Sequence, residues 1–404
     1  MGRLALKGGE PVKKKPFPSW PVWGEEEKQA LLRVLESRKW GRHVGKEVEE
    51  FEAQFARFNG VRYGVAVANG TCALEIALKA CGIKGGDEVI IPPYTFVATA
   101  TSVLVLNALP VFVDIHPDTL LIDPERIKEA ITERTRAIIP VHIGGNVCNM
   151  DEILEIAKEY NLKVIEDACQ AHGAEWRGKK AGTLGDAGCF SFQLGKNMTS
   201  GEGGMVLTND KEIAEKAWAL HTCGRRRLGE WYEHIYLGWN YRMTEFQGAI
   251  LKEQLKRLPS HLSKRKVNAE YLDRRLREIE GIEPLKKDER VTTHAYHLYI
   301  FKYKKEKFGG LEKEKFLKAL SAEGIPCGGG YVPIYKYPFF KEDLDAFRFS
   351  PKGRDYSLVR CEEAEKASQE VVWLPQYLLL GEEEDMEDIV RAIKKIQDNF
   401  NELT

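Results

Sequence analysis

Hydrophobic residues in the first sixty positions recur at the spacing of an α-helix. Apolar side chains three and four residues apart are typical of one buried helix face. This spacing predicts two helices, and the residues that mark them are Leu31, Leu32 and Leu35 in the first, and Val48, Phe51, Phe55 and Phe58 in the second. We expect the residues before them to form an N-terminal arm.

The hydrophobic pattern changes after Arg62, where short β-branched runs alternate with helical segments. Continuous apolar strands separated by amphipathic helices are typical of a mostly parallel sheet with helices on both faces. The strand and helix segments, in chain order, are YGVAVA and TCALEIALKAC; DEVIIP and FVATATSVLVLN; LPVFVDI and PERIKEAIT; RAIIPVHI and MDEILEIAKEY; and the strand LKVIEDAC. The fold class predicted from this pattern is α/β.

The remaining third of the chain has a different organisation. Its pattern predicts two long helices over residues 243–258 and 262–279, and then a smaller α+β segment made of the strand HLYIFKY, the helix LEKEKFLKALSAEG and the closing helix DMEDIVRAIKKIQDNF. We therefore predict three parts: an arm with helices over residues 1–60, a large domain over 61–255, and linking helices with a small C-terminal domain over 256–404.

The charge balance excludes one class of partner. The 404 residues include 60 basic and 61 acidic side chains, which give a formal net charge of −1. A protein with no basic excess has little to neutralise the phosphates of a nucleic acid, so we expect no nucleic-acid partner. No apolar stretch follows Met1 and no run reaches the length of a membrane span, so we expect neither a signal peptide nor membrane insertion.

Cysteines and histidines argue against disulfides and a metal site. The eight cysteines are scattered and form no C-x-x-C pair, a pattern typical of reduced thiols in a cytoplasmic protein. His294 and His297 lie in an aromatic stretch that we interpret as a strand. Residues three apart on a strand point to opposite faces, so we predict no metal site.

A glycine follows the first strand of the predicted sheet, where Asn69, Gly70 and Thr71 open the next helix. In open α/β sheets, ligands bind where strands end and helices begin. A helix N-terminus offers free N–H groups to an anion, and Gly70 would allow close approach. The same residues also make an ordinary capped turn, so both interpretations stay open on this motif.

An acidic residue ends the strand LKVIED, where Asp167 precedes Ala168-Cys169-Gln170-Ala171-His172-Gly173. A carboxylate at a buried strand end needs a cationic or hydrogen-bonding partner. A pyridinium nitrogen would supply such a partner. A helix N-cap is the alternative role for Asp167.

A single lysine stands in the Gly- and Ser-rich segment that follows an apolar strand. A lysine with little solvent around it has a lowered pKa and can form a Schiff base as the neutral amine. Lys196 is therefore a candidate nucleophile, and a lysine in a Gly-rich hairpin is the alternative.

Taken together, these motifs resemble the DegT/DnrJ/EryC1/StrS family of sugar aminotransferases, which are fold-type I enzymes of pyridoxal 5′-phosphate (PLP). The resemblance covers nearly the whole chain. Its most specific parts are D-x-x-Q-x-H-G from Asp167 and S-F-x-x-x-K-x-x-x-x-G-E-G-G from Ser191. Further matches are the arm Gly8-Gly9-Glu10-Pro11-Val12 with Trp20-Pro21, and the runs Pro93-Tyr94-Thr95-Phe96, Gly238-Trp239-Asn240-Tyr241-Arg242-Met243 and Tyr296-His297-Leu298-Tyr299.

The resemblance implies a role for each site residue. Lys196 would form the Schiff base with PLP, and Asp167 would pair with the pyridine nitrogen. Phe96 would stack on the ring and Gln170 would lie near its substituents. The phosphate would be held by Gly70, Thr71 and Ser191, and by Asn240 of the neighbouring subunit, which implies a homodimer with shared active sites. The role of His172 is left open between the ring and the sheet end.

The resemblance also implies the reaction. An amino group would pass from L-glutamine or L-glutamate to a keto cyclitol or keto sugar by ping-pong chemistry, with pyridoxamine phosphate as the intermediate form of the cofactor. The arm and the lysine segment are most similar to the glutamine:inosose aminotransferases, and also resemble aminohydroxybenzoate synthases.

Two alternatives remain at this point. A nucleotide-linked keto sugar is the other acceptor, because Arg225, Arg226 and Arg227 could contact its phosphates. Tyr331, Tyr335 and Tyr337 either line the acceptor side or only pack a loop. The alternative from a different class is a non-catalytic PLP-binding regulator, although no helix-turn-helix segment is present to support it.

Overall fold

A seven-stranded sheet forms the centre of the protein in the computed structural model, which describes residues 2–230, 232–342 and 355–403. The strands are β1 Tyr63–Val67, β2 Glu88–Ile91, β3 Leu109–Phe112, β4 Thr135–Ile138, β5 Lys163–Asp167, β6 Glu175–Trp176, β7 Lys179–Lys180, β8 Ala187–Ser191, β9 Gly204–Thr208, β10 Ile282–Pro284, β11 Val291–Thr293, β12 Leu298–Tyr303 and β13 Val371–Pro375. The helices are α1 Glu25–Ser37, α2 Glu47–Asn59, α3 Gly70–Ala80, α4 Ala98–Leu104, α5 Pro124–Ala130, α6 Met150–Glu159, α7 Lys211–His221, α8 Glu245–Leu276, α9 Lys313–Ala322, α10 Phe339–Glu342, α11 Glu362–Glu370 and α12 Glu383–Asp398.

The central sheet has the strand order β1-β9-β8-β5-β4-β2-β3. Strands β8, β5, β4, β2 and β3 pair in parallel, whereas β9 is antiparallel to both of its neighbours, β1 and β8. Strand β1 therefore runs in the same direction as the parallel set. The predicted α/β fold with a mostly parallel sheet between helices is confirmed.

This topology brings the three candidate motifs to one edge of the sheet. Strands β1, β5 and β8 all end at the same edge because they run in the same direction, and ligands bind at such an edge in open α/β sheets. Asp167, the last residue of β5, is in register with Cys189 of β8. Gly70 opens α3 directly after β1, and Lys196 follows the end of β8.

A second hydrophobic core lies around a small antiparallel sheet of order β10-β12-β13. It is formed mainly by residues after position 268, but Leu4 and Phe17 of the N-terminal arm are also buried in it. Conversely, Ile334 and Ala364 belong to the core of the large sheet. The two ends of the chain are thus packed together, and the domain boundaries at residues 60 and 255 remain predictions.

The helices predicted over residues 243–258 and 262–279 are one continuous helix, so that prediction was wrong. Helix α8 runs for 32 residues and has Pro259 inside it. Proline removes one helical hydrogen bond, at a cost of about 3 kcal/mol in a helix interior. Leu258 and Leu262 are buried on either side of it. Packing of this face against the large-sheet core holds the helix together across the proline.

The strand predicted around His294 and His297 is also wrong, since β12 begins only at Leu298. Residues 294–297 form an irregular link in which Tyr296 has a positive φ of 49°. His294 Nδ1 accepts a hydrogen bond from the Tyr296 N–H at 2.9 Å. The argument from strand faces therefore does not apply to these histidines. Over the described ranges, no group of three or more His, Cys, Asp or Glu side chains has the arrangement of a metal site.

The described helices were also compared with the requirements of a bilayer. In the part of the chain that the structure covers, none is both long enough and apolar enough to pass through a membrane. All eight cysteines are free thiols.

Candidate active site

Asp167 is buried at the carboxyl end of β5, with 6% of its surface exposed. Its Oδ2 accepts a hydrogen bond from the Thr99 hydroxyl at 2.8 Å, and its Oδ1 accepts one from the Cys169 N–H at 3.2 Å. The Thr99 hydroxyl also lies 3.2 Å from that of Thr95. These donors fix the orientation of the carboxylate without neutralising its charge. A buried carboxylate held by neutral donors is suited to bind a further cationic or protonated group.

Lys196 lies in the loop after β8 and is within electrostatic reach of Asp167 and Cys169. Burial lowers the pKa of the Lys196 ammonium, and the nearby carboxylate of Asp167 opposes the change. A residue of the N-terminal arm helps to hold this loop in place, since the Trp20 indole N–H donates to the Leu194 carbonyl at 2.7 Å. The Asn197 side chain donates to the Ala295 carbonyl at 2.6 Å. Lys196 is therefore a positioned amine with an increased tendency to be neutral.

Gly70 packs so closely against Ser191 that no larger residue fits. A Cβ atom on Gly70 would lie 2.7 Å from the Ser191 Cβ and 3.0 Å from the Cys169 Sγ. The Asn69 side chain caps α3 by accepting from the Cys72 N–H at 2.9 Å. The first N–H groups of a helix have no partner within the helix. Gly70, Thr71 and Ser191 therefore form a small cradle of donors at a helix N-terminus, which favours an anion.

Gln170 is buried between the large sheet and the loop that carries Tyr331. Its Oε1 accepts from the Gly144 N–H at 2.8 Å, and its Nε2 donates to the Tyr331 hydroxyl at 3.2 Å. Two residues shortly after Asp167 therefore contribute to the site. Cys169 does so through its backbone N–H and Gln170 through its carboxamide. The contact with Tyr331 joins a residue that precedes the long helix α8 in the sequence to one that follows it.

Two predicted site residues have exposed side chains. Phe96 is 55% exposed in the link between β2 and α4, one turn before Thr99. Asn240 is also exposed, in a segment that pairs with the end of β1 through the hydrogen bond from the Ala68 N–H to the Tyr241 carbonyl. Phe96 lies three residues before Thr99, whose hydroxyl contacts Asp167. The structure places Asn240 at the protein surface.

His172 lies inside the core. It has no exposed surface, and its ring centre is 5.5 Å from that of Phe190 and 5.6 Å from that of Phe192. Burial, together with the nearby charge of Lys196, lowers the pKa of His172 to about 3. His172 is therefore a neutral core residue behind the sheet end, and the site reaches it only electrostatically.

Sequence reasoning missed Thr99, Gly144 and the backbone of Cys169. A hydroxyl three residues after Phe96 was at most a weak signal for Thr99, because Thr101 and Ser102 of the same helix also carry hydroxyls. Gly144 had no local signal, because its contact with Gln170 joins residues 26 positions apart. These contacts depend on strand order, which local patterns do not specify.

Comparisons with known proteins identify the family of the chain. A model of the DegT/DnrJ/EryC1/StrS aminotransferase family matches residues 21–394. The chain belongs to this family, and it is a PLP-dependent aminotransferase. Both the resemblance found in the sequence and the class of enzyme predicted from it are confirmed.

Three similar proteins cover nearly all of this chain. A provisionally named L-glutamine:3-amino-2,3-dideoxy-scyllo-inosose aminotransferase of Streptoalloteichus tenebrarius is 40% identical over an alignment of 413 positions, which covers 99% of each chain. The crystal structure of 3-amino-5-hydroxybenzoic acid synthase has a TM-score of 0.88 and 34% identity, covering 96% of this chain and 99% of that one. The NtdA protein of Bacillus subtilis, solved with the bound cofactor PMP, has a TM-score of 0.81 and 30% identity, covering 93% and 82%.

Proposed function

We propose that this aminotransferase moves an amino group from L-glutamine to the ketone of a cyclitol, with PLP held at the sheet edge described above. The observation that carries the proposal is the convergence of Lys196, Asp167 and the cradle of Gly70 and Ser191 on one edge. L-Glutamate is the alternative donor.

The residues present fit PLP in charge and in hydrogen-bonding capacity. The cradle at Gly70 would hold the phosphate, with N–H groups of Gly70 and Thr71 and the Ser191 hydroxyl as donors. Asp167 would pair with the protonated pyridine nitrogen, Gln170 would lie beside the ring substituents, and the exposed ring of Phe96 would cover one face. When bound, PLP supplies an electron sink for cleavage of a bond at the amino-acid α-carbon.

Lys196 has two tasks in this proposal. Its neutral amine holds the cofactor covalently before the donor arrives, and burial favours that neutral form by lowering the pKa. Once the donor has displaced it, the freed Lys196 amine would act as general base, holding at Nζ the proton removed from the donor α-carbon, and then as general acid. Asp167, oriented by Thr99 and the Cys169 N–H, would face the protonated pyridine nitrogen.

The choice of a free cyclitol over a nucleotide-linked sugar rests on two observations. The relative from Streptoalloteichus tenebrarius carries an inosose in its name. In addition, two of the three consecutive arginines already have partners within the chain. Arg226 lies 3.4 Å from a carboxylate oxygen of Glu233, and the Arg227 guanidinium is 6.0 Å from the ring centre of Trp218.

We further propose a homodimer in which Asn240 reaches the phosphate of the partner's site. The loop before Asn240 exposes large apolar side chains, with Leu228 93% and Leu237 88% exposed. Exposed apolar patches of this kind are typical of interaction surfaces. Free cysteines throughout the chain favour a reducing compartment, and we propose the cytoplasm.

The first test records visible absorbance of the purified protein supplied with PLP. We expect the yellow band of the lysine-bound cofactor, its bleaching by L-glutamine, and its return when scyllo-inosose is added. The K196A variant should lack the band, whereas K179A, which changes an exposed lysine on β7, should behave as the wild type. A wild-type protein without the band would contradict the proposal. Return of the band only with a nucleotide-linked keto sugar would replace the proposed acceptor.

A second test addresses the shared sites. We expect the K196A and N240A variants each to be inactive or nearly so. The two variants are then mixed under conditions that allow subunits to exchange. If the sites are shared, each mixed dimer has one complete site out of two. Because about half of the dimers are mixed after equal mixing, about a quarter of wild-type activity should return. If Asn240 acts within its own subunit, mixing restores nothing, and the proposal of shared sites is wrong.

A further inference from the structure

The orientation of the Gln170 carboxamide is determined by its two neighbours. The Gly144 N–H can only donate, so the Gln170 atom 2.8 Å from it must be the carbonyl oxygen. The amide nitrogen then faces the Tyr331 hydroxyl at 3.2 Å. Because an amide nitrogen only donates, the Tyr331 oxygen is the acceptor in this hydrogen bond.

It follows that the hydroxyl proton of Tyr331 points to some other group. Within residues 2–230, 232–342 and 355–403, no other hydrogen bond of this hydroxyl is observed. Burial raises the pKa of the Tyr331 hydroxyl to about 12, and the charge of Asp167 contributes to the rise. Tyr331 is thus a neutral donor near the Asp167 side of the site.

The ring of Tyr331 is fixed by two aromatic neighbours. Its centre lies 5.6 Å from that of Tyr94 and 4.8 Å from that of Trp373, both in edge-to-face geometry. Gly330 has a positive φ of 86°, and a Cβ there would lie 2.6 Å from the Tyr94 hydroxyl oxygen. The backbone therefore approaches Tyr94 closely, and the Tyr331 hydroxyl has a set position rather than a mobile one.

We propose that Tyr331 donates a hydrogen bond to a ring hydroxyl of the keto acceptor and so contributes to acceptor specificity. This inference rests on the proposed function. A cyclitol presents several hydroxyl oxygens to a neutral donor, and its C–H faces suit aromatic walls such as Tyr94 and Trp373. The α-carboxylate of an amino-acid donor is instead best matched by a cation. Tyr331 should consequently serve the second half of the reaction and not the first.

The test measures the two half-reactions separately by single-turnover absorbance in the PLP-loaded enzyme. In Y331F we expect glutamine to bleach the cofactor at a rate within about twofold of the wild type. The kcat/KM for re-oxidation by scyllo-inosose should fall about tenfold, which corresponds to one lost neutral hydrogen bond. Y160F is the control, because Tyr160 is an exposed tyrosine at the end of α6. It should leave both half-reactions unchanged.

A panel of mono-deoxy inososes supplies the second measurement. One of them should react about tenfold more slowly than the parent with the wild type, and equally fast as the parent with Y331F. Equal slowing of both half-reactions in Y331F, no slowing of either, or identical deoxy profiles in the two enzymes would overturn the inference. A wild type that is not bleached by any donor would instead contradict the proposed function itself.

Discussion

Glu166 precedes Asp167 on β5, and its buried carboxylate accepts four hydrogen bonds. Its Oε2 accepts from the His142 ring at 2.9 Å and the Gly182 N–H at 2.7 Å. Its Oε1 accepts from the Leu184 N–H at 2.6 Å and the Gly185 N–H at 2.7 Å. Glu166 and His142 are both completely buried. The Glu166 carboxylate therefore accepts three backbone N–H groups of the turn that precedes β8.

The His142 tautomer makes all four partners donors. Its Nδ1 accepts from the Cys148 N–H at 3.2 Å, so the proton of the ring must be on Nε2, facing Glu166. A glutamine at position 166 has one oxygen and one NH2 group. In either orientation, two buried donors would face the NH2 group and lose their acceptor.

We expect Glu166→Gln to lower the free energy of unfolding by about 4 kcal/mol, because two buried donors are left unsatisfied at about 2 kcal/mol each. For 404 residues with an unfolding entropy of about 2.1 cal/mol/K each, this corresponds to a fall in Tm of about 5 °C. Neighbouring strand residues point to opposite faces, so Asp167 should be undisturbed. The kcat of the folded variant should stay close to that of the wild type.

The assays are thermal and urea denaturation at one protein concentration, with kinetics well below the Tm. Glu212→Gln is the control, since the Glu212 side chain is 75% exposed and pairs with Lys216 on the surface. It should change stability by less than about 1 kcal/mol. A loss below about 1 kcal/mol in Glu166→Gln would refute the reasoning from donors and tautomer. Inactivity of the folded variant would refute the separation from Asp167.

Three further predictions follow from burial and helix geometry. Burial lowers the pKa of His172 and His221 to about 3, so their contribution to stability is complete above the unfolded value near 6.5 and is lost as the pH falls towards 3. Urea denaturation should show the free energy of unfolding falling below pH 6.5 by up to about 1.4 kcal/mol per pH unit for each, and a flat profile would contradict this. Because burial lowers the pKa of Lys196, the pH midpoint of its acylation in the cofactor-free protein, followed by peptide mass spectrometry, should lie below that of exposed Lys211; coincident midpoints would argue against it. Pro259→Ala should raise the free energy of unfolding by about 1–2 kcal/mol by restoring a helical hydrogen bond, and a loss of stability on urea denaturation would show that the proline is needed.

The sequence alone determined the features that depend on local pattern. Apolar spacing predicted helices α1, α2 and α12, the last with ends within two residues of those observed, and the alternation of strands and helices predicted the α/β class. The motifs around Asp167 and Lys196 identified the family, because the residues of each motif are close together in the chain. Local periodicity and turn chemistry are properties of a few neighbouring residues, so they can be read without knowing the fold.

Only the tertiary structure decided which distant residues meet. Thr99 reaches Asp167 across 68 positions, and Gly144 orients Gln170, whose carboxamide then fixes the Tyr331 hydroxyl across 161 positions. The continuity of α8 through Pro259 was likewise decided by packing, which outweighed a local helix breaker. Such contacts arise from strand order and from buried faces. The free energy that stabilises these long-range contacts is summed over the whole core. A short segment of sequence therefore cannot show which distant residues will meet.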